Sequence, residues 1–274
     1  MAQASPHNSS ASFARLVRLV LQSLAITLAA AGCTPSADSR LVLLERGKLL
    51  STRGSHEEAL AAFAQAIQAA PTDSELRYER ALAYERADSP ELAIDDYSEA
   101  IRLRPDYFQA HNNRAVALAR MKKLPEAVAG FSRAIELQPD DALARRNRGL
   151  ALLELGQHAE ALVDLDAAVE LDPLVAEAWF VRGNVLAALD RNKDAVSSFN
   201  EALRRDLLHA NAYHRRSLAR RKLGLTADAD RDLARAIEID SSLAESGNSS
   251  SATNDTATDT THPVSPSATA QAMP

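Results

Sequence analysis

Apolar residues recur along this chain at a fixed interval of 34 residues, marked by Pro71, Pro105, Pro139 and Pro173. Five residues before each proline stands an alanine (Ala66, Ala100, Ala134, Ala168), and the same step continues to Ala202 and Ala236. Twelve residues before the proline phase lie Ala59, Ala93, Ala127, Ala161, Ala195 and Ala229. Between the two columns, eight before the proline phase, is a large side chain: Phe63, Tyr97, Phe131, Leu165, Phe199 or Leu233. Alanines spaced this way lie on one stripe of a helix, where a neighbouring helix can approach closely. Proline ends that helix, because it lacks an N–H and disfavours the helical conformation in the residue before it. A period of this length signals a repeat architecture.

These columns resemble the tetratricopeptide repeat, in which each unit is two antiparallel helices with small residues at their contacts and a large one wedged between them. The frames are 40–73, 74–107, 108–141, 142–175, 176–209 and 210–243. Position 8 of each is small: Gly47, Ala81, Ala115, Gly149, Gly183 and Ser217. The turn position holds Gly54, Gly156 and Gly224, with Asp88, Lys122 and Asp190 in the other frames. Of the family's aromatic positions, only Trp179 and Tyr84 are filled by the usual residue. The resemblance implies an all-α, right-handed superhelical solenoid of six antiparallel helix pairs (twelve helices, without strands). Frames five and six carry Leu207 and Ser241 where the others have proline, so their second helices are expected to end less sharply.

Composition agrees with such a core. Hydrophobic residues make up 46% and charged residues 25%, but aromatics only 4%, so the interior must be built from Ala and Leu. The net charge of −6 carries no basic nucleic-acid footprint, and the reading is of no nucleic-acid partner. A single cysteine excludes an internal disulfide framework and a CxxC metal site.

The termini differ from the repeats. The first 32 residues hold no acid and two bases, Arg15 and Arg18, followed by the apolar run Leu19 to Ala31 and then Gly32 and Cys33. A charged start, a short apolar stretch and small residues before a cleavage point describe a secretory signal. The run is shorter than the roughly 20 residues a spanning helix needs. The AAAGC sequence resembles the lipobox of bacterial lipoproteins, although Ala30 stands where Leu is most usual. By that resemblance residues 1–32 are a signal peptide and Cys33 is the lipidation site. Residues 33–39 are then a tether, and Thr34 favours the outer membrane facing the periplasm. A plain signal peptide or an uncleaved anchor is the alternative. Residues 244–274, rich in Ser, Thr and Pro and without Lys or Arg, read as a disordered tail. No polar terminal helix follows the last frame, which is therefore expected to be the softest.

Position 7 is arginine in every frame: Arg46, Arg80, Arg114, Arg148, Arg182 and Arg216. These are either a ladder for an acidic ligand or internal partners of the second helix of the same repeat, where position 23 supplies Asp96, Asp164 and Asp232. In the family, the inner face of the superhelix comes from the first helices. The resemblance places Tyr78, Glu79, Asn112, Asn113, Arg146, Asn147, Phe180, Asn184 and Arg215 there as partner-binding residues. Side-chain amides donate and accept at once, which suits an extended peptide backbone. Glu75, Glu79 and Glu85 gather near repeat two, and His214, Arg215, Arg221 and Lys222 near repeat six, predicting a charge gradient along the face. The run Arg220-Arg221-Lys222 either receives an acidic partner or complements the helix dipole. No HxxxH, GxSxG, phosphate loop or Cys–His pair is present. The chain thus reads as a non-enzymatic scaffold for a protein or peptide partner, without catalytic residues, cofactor, metal or small-molecule substrate. A subunit docking by its convex face, without peptide binding, is the alternative.

Overall fold

The computed structural model describes residues 37–244, and side chains from Arg40 onward. The signal segment, Cys33 and the tail beyond Ala244 lie outside the described residues. Every element within them is an α-helix, and none is long and apolar enough to cross a membrane. The chain divides into two compact units, with the boundary at Met121 and Lys122.

The first unit contains α1 (Ala37–Thr52), α2 (His56–Ala69), α3 (Ser74–Arg86), α4 (Pro90–Leu103) and α5 (Phe108–Arg120). Each helix packs on the next, and α1 also packs on α3. The second unit contains α6 (Leu124–Leu137), α7 (Ala142–Glu154), α8 (His158–Leu171), α9 (Ala176–Ala188), α10 (Asn192–Arg205), α11 (Ala210–Lys222) and α12 (Thr226–Ile239). Its odd-numbered helices α7, α9 and α11 also pack in series. The all-α repeat fold expected from the columns is the fold observed.

Both alanine columns are buried throughout, and Phe63, Tyr97, Phe131, Leu165 and Phe199 are fully inaccessible. Burying each of these large side chains contributes about 1.5–3 kcal/mol. Position 8 is small because the wedge sits directly on it. A Cβ added to Gly47 would come within 2.7 Å of the Phe63 ring, and one on Gly183 within 2.5 Å of Phe199. The turn inside each pair is left-handed at every frame: φ is +81° at Gly54, +52° at Asp88, +60° at Lys122, +76° at Gly156, +57° at Asp190 and +77° at Gly224. That conformation lets the residue after it donate back five residues, as Gln157 N does to Leu152 O at 2.9 Å, and so closes the helix end.

One expectation is corrected. The helices of frames five and six end as sharply as the others: α10 stops two residues before Leu207 and α12 two before Ser241, as α8 stops two before Pro173. The reason is an aspartate in the C-cap. The Asp206 carboxylate accepts from the Leu208 N–H and that of Asp240 from the Ser242 N–H, both at 3.0 Å. Such a turn competes with helix continuation and replaces the proline. The last two helices bury little: α11 buries only Ala212, Ser217 and Ala219, α12 only Ala229, Asp232 and Ala236, and Leu233 is half-buried.

Candidate functional site

The arginine column closes inward. Arg80, Arg148 and Arg216 each make a bidentate pair with the aspartate sixteen residues on, with donor–acceptor distances of 2.6–2.8 Å. Arg148 and Arg216, with Arg114 and Arg182 of the same column, also reach sixteen residues back, to the second helix of the preceding repeat. Arg114 donates to Ser98 at 3.2 Å, Arg148 to Ser132 at 3.0 Å, Arg182 to Asp166 at 2.6 Å and Arg216 to Asn200 at 2.6 Å. Pairing within one repeat was therefore half of the arrangement. Arg46, whose position 23 is Ala62, is exposed. The basic run at the end of α11 is also engaged internally: Arg220 meets Asp232 at 2.7 Å and Arg221 meets Asp230 at 2.8 Å, both on α12.

The first-helix residues lie deeper than a solvated groove lining would. Of the nine candidate residues, seven are buried, and only Asn184 and Arg215 are half-buried. Asn112 and Asn113 on α5 form a relay: Asn112 Nδ2 donates to Asn113 Oδ1 at 3.1 Å, and Asn113 Nδ2 to Tyr78 Oη at 3.0 Å. Asn147 Oδ1 accepts from Arg146 Nη2 at 3.1 Å. Three amide oxygens, Asn112 Oδ1 and Asn184 Oδ1 on first helices and Asn192 Oδ1 on the second helix α10, are buried with no hydrogen-bond partner among the described residues.

Each unit holds an aromatic trio in the same register. In the first, Tyr78 meets Tyr107 at 4.9 Å and Tyr97 at 5.7 Å between ring centroids. In the second, Phe180 meets His209 at 4.6 Å and Phe199 at 6.0 Å. The trio of the first unit is set among acids. Lys48 Nζ lies 3.6 Å from Glu79, yet burial still holds the Glu79 carboxyl above its usual range. Glu85 accepts from Tyr97 Oη at 2.7 Å, and burial raises its carboxyl too. Burial pushes the Tyr107 phenol up to about 12, opposed by Arg104 and reinforced by Glu75 and Glu79. In the second unit His209 Nε2 lies 3.4 Å from the Glu177 carboxylate.

The family model for the tetratricopeptide repeat matches residues 22–74, 44–107, 78–142, 112–173 and 146–207 in overlapping pairs of units. The chain belongs to the tetratricopeptide repeat family. No curated protein sequence matches it significantly. Among solved structures, this tetratricopeptide repeat chain is similar to YrrB, described as having an unusual peptide-binding site. Identity is 25%, over 68% of this chain and 97% of that one, with a TM-score of 0.59. PilF of Pseudomonas aeruginosa is 16% identical over 78% of this chain and 98% of its own, with a TM-score of 0.67. MamA of Desulfovibrio magneticus RS-1 is 21% identical over 62% of this chain and 96% of its own, with a TM-score of 0.58. The last two likenesses concern the fold alone.

Sequence reasoning missed Tyr107, Glu177 and His209. Tyr107 and His209 both occupy position 34 of their frames, one after the other trio members at positions 5 and 24, so the signal was a 102-residue correspondence between repeats two and five. The polar column at position 25 (Ser98, Ser132, Asp166, Asn200) was missed as well, although it repeats at the same period. Among the described residues no group of three or more His, Cys, Asp or Glu side chains is arranged to hold a metal ion.

Proposed function

We propose that this protein is a membrane-tethered scaffold of the bacterial cell envelope, lipidated at Cys33, which binds an extended segment of a protein partner along the faces of its first helices. The family supports a protein-interaction role. The observation that carries the peptide reading is the pair of buried first-helix amide oxygens, on Asn112 and Asn184, that lack a donor. Leaving such an acceptor unsatisfied costs about 1–3 kcal/mol, and a backbone N–H of an added strand is the donor that would relieve it. In the second unit, which holds Asn184, the tilted aromatic pair Phe180–His209 offers apolar contact. YrrB, similar in fold, carries a peptide-binding site by its own description.

A second reading has its own observation. On the second unit Val163 on α8 is 68% exposed, and the turn residues Leu174, Leu207 and Leu208 are 78%, 67% and 66% exposed. Exposed apolar side chains of this size suit docking through the second helices and turns, without a bound peptide.

One experiment separates the parts. Fractionation of cells expressing Cys33→Ala is expected to move the protein from membrane to soluble periplasmic fraction, and persistence at the membrane would favour an uncleaved anchor. Partners recovered from envelope extracts are expected to be lost with Asn184→Ala and Phe180→Ala. A partner that survives both changes belongs to the exposed leucine surface instead.

A further inference from the structure

Arg146 is the exception among the deeply placed arginines of the second unit. Arg148, Arg182, Arg216 and Arg220 each have a carboxylate oxygen at 2.6–2.7 Å. Arg146 is only 9% exposed, yet its one hydrogen bond is to the neutral amide of Asn147, and no carboxylate of the described residues lies within ion-pair distance. Burial pulls its guanidinium below the ordinary value, and Glu177 opposes this from a distance. Glu177 is itself engaged with His209. An arginine cannot escape this position by losing its proton at any physiological pH. A buried cation without a counter-charge at hydrogen-bonding distance is costly, and within the second unit that cost falls on α7.

The first unit shows what the position holds when packing alone decides. One hundred and two residues earlier, at the same position 5, stands Leu44, 2% exposed in the apolar core. Leu44 precedes the Tyr78 trio by one repeat, as Arg146 precedes the Phe180 trio by one repeat. In each case the two first helices concerned, α1 with α3 and α7 with α9, pack together. The substitution of a charge for a leucine at an equivalent core-facing site has no internal partner to explain it.

We propose that the second unit seats a carboxylate side chain of an acidic peptide segment on Arg146, beside the Phe180–His209 pair. This deepens, and rests on, the groove reading given above. The guanidinium presents parallel N–H donors that match a carboxylate in a bidentate fork. Asn147 holds one edge of it through Nη2, which fixes the plane of the fork. Phe180 supplies the apolar contact for the stem of the incoming Asp or Glu side chain. The occupant is an Asp- or Glu-bearing segment, since a carboxylate is the counter-charge this guanidinium lacks.

The test is a selection followed by a charge swap. Random dodecapeptides displayed on phage are panned against the full chain, and enriched peptides are measured by fluorescence anisotropy. Enriched peptides are expected to share an Asp or Glu. Changing that residue to Asn or Gln should weaken binding by about ten-fold or more to the unmodified protein, and by less than about two-fold to Arg146→Leu or Arg146→Met. Both variants should melt no lower than the parent, because the buried charge is gone. Enriched peptides that need no acid, or an acid preference kept by both variants, would overturn the carboxylate seat while leaving the groove reading in place. A melting temperature lowered in both variants would make Arg146 a structural member and overturn it too. A selection that enriches no peptide would remove both the seat and the groove.

Discussion

The two aromatic trios use the same three repeat positions and differ in what surrounds them. The first trio shares its core with Leu44 and feels the acids Glu75, Glu79 and Glu85; in the second, Glu177 meets His209, and the positions of Leu44 and Glu79 hold Arg146 and Val181. The frame is the same, and the backbone spacing set by small position-8 residues is the same. What differs is the sign and compensation of the charge at the lip. A repeat fold therefore separates two tasks. Columns that recur in every frame hold helices together, and the few positions that break their column set what each stretch of the array can recognise.

Three changes bear on that separation. The largest effect is expected from Arg148→Met on α7, two residues from Arg146. It strands Asp164, which is 2% exposed and has only Arg145, at 3.8 Å, as a second cation. Breaking such a buried pair should lower stability by about 3 kcal/mol in a urea melt. If Arg148→Met and Arg146→Met cost the same, compensation is not what distinguishes the two columns.

A smaller loss is expected from Gly183→Val. Its counterpart in the first unit is Ala81, whereas any Cβ at Gly183 meets the Phe199 ring at 2.5 Å. Overpacking of this kind should cost about 1–3 kcal/mol by thermal melting. An unchanged melt would mean that the Phe199 wedge is free to move, and that the second trio is less fixed than the first.

The smallest effect concerns Glu79. Its carboxyl titrates higher in the fold than in the unfolded chain, chiefly through burial. Its proton therefore favours the fold below the unfolded value, and that contribution is lost as pH rises through the raised one. Glu79→Gln should flatten this fall in melting temperature, measured from about pH 4 to about pH 8. A profile identical to the parent would show that the acid lip of the first trio is solvated rather than buried.

Much of this was legible in the sequence. The alanine columns, the wedge and the small position 8 all follow from period alone, because each requirement recurs wherever two helices cross. Arg80–Asp96, Arg148–Asp164 and Arg216–Asp232 were also visible as a column pair at fixed spacing. The reach of Arg182 back to Asp166 was not, because it joins residues of different frames and depends on how one repeat stacks on the next. The burial of Asn113 escaped for the same reason: it donates to Tyr78 of the preceding first helix, and a pattern read one frame at a time contains no neighbour. Frames five and six misled because a missing proline hides the capping turn that Asp206 and Asp240 make in its place.

The backward and forward reach of the arginines has a consequence for how the second unit comes apart. Arg148 ties α6 to α8, Arg182 ties α8 to α10 and Arg216 ties α10 to α12, each through one guanidinium on the helix between. Every second helix in the series is thus fastened to the next by a side chain that neither repeat owns alone. In a one-dimensional array, such links add to the coupling between neighbours rather than to the stability of any single member. Opening one repeat releases a charge belonging to the next, so fraying spreads along the unit instead of stopping at a frame boundary. Amide hydrogens from α6 to α12 should consequently exchange as one block, with a shared opening free energy in place of a staircase of local ones.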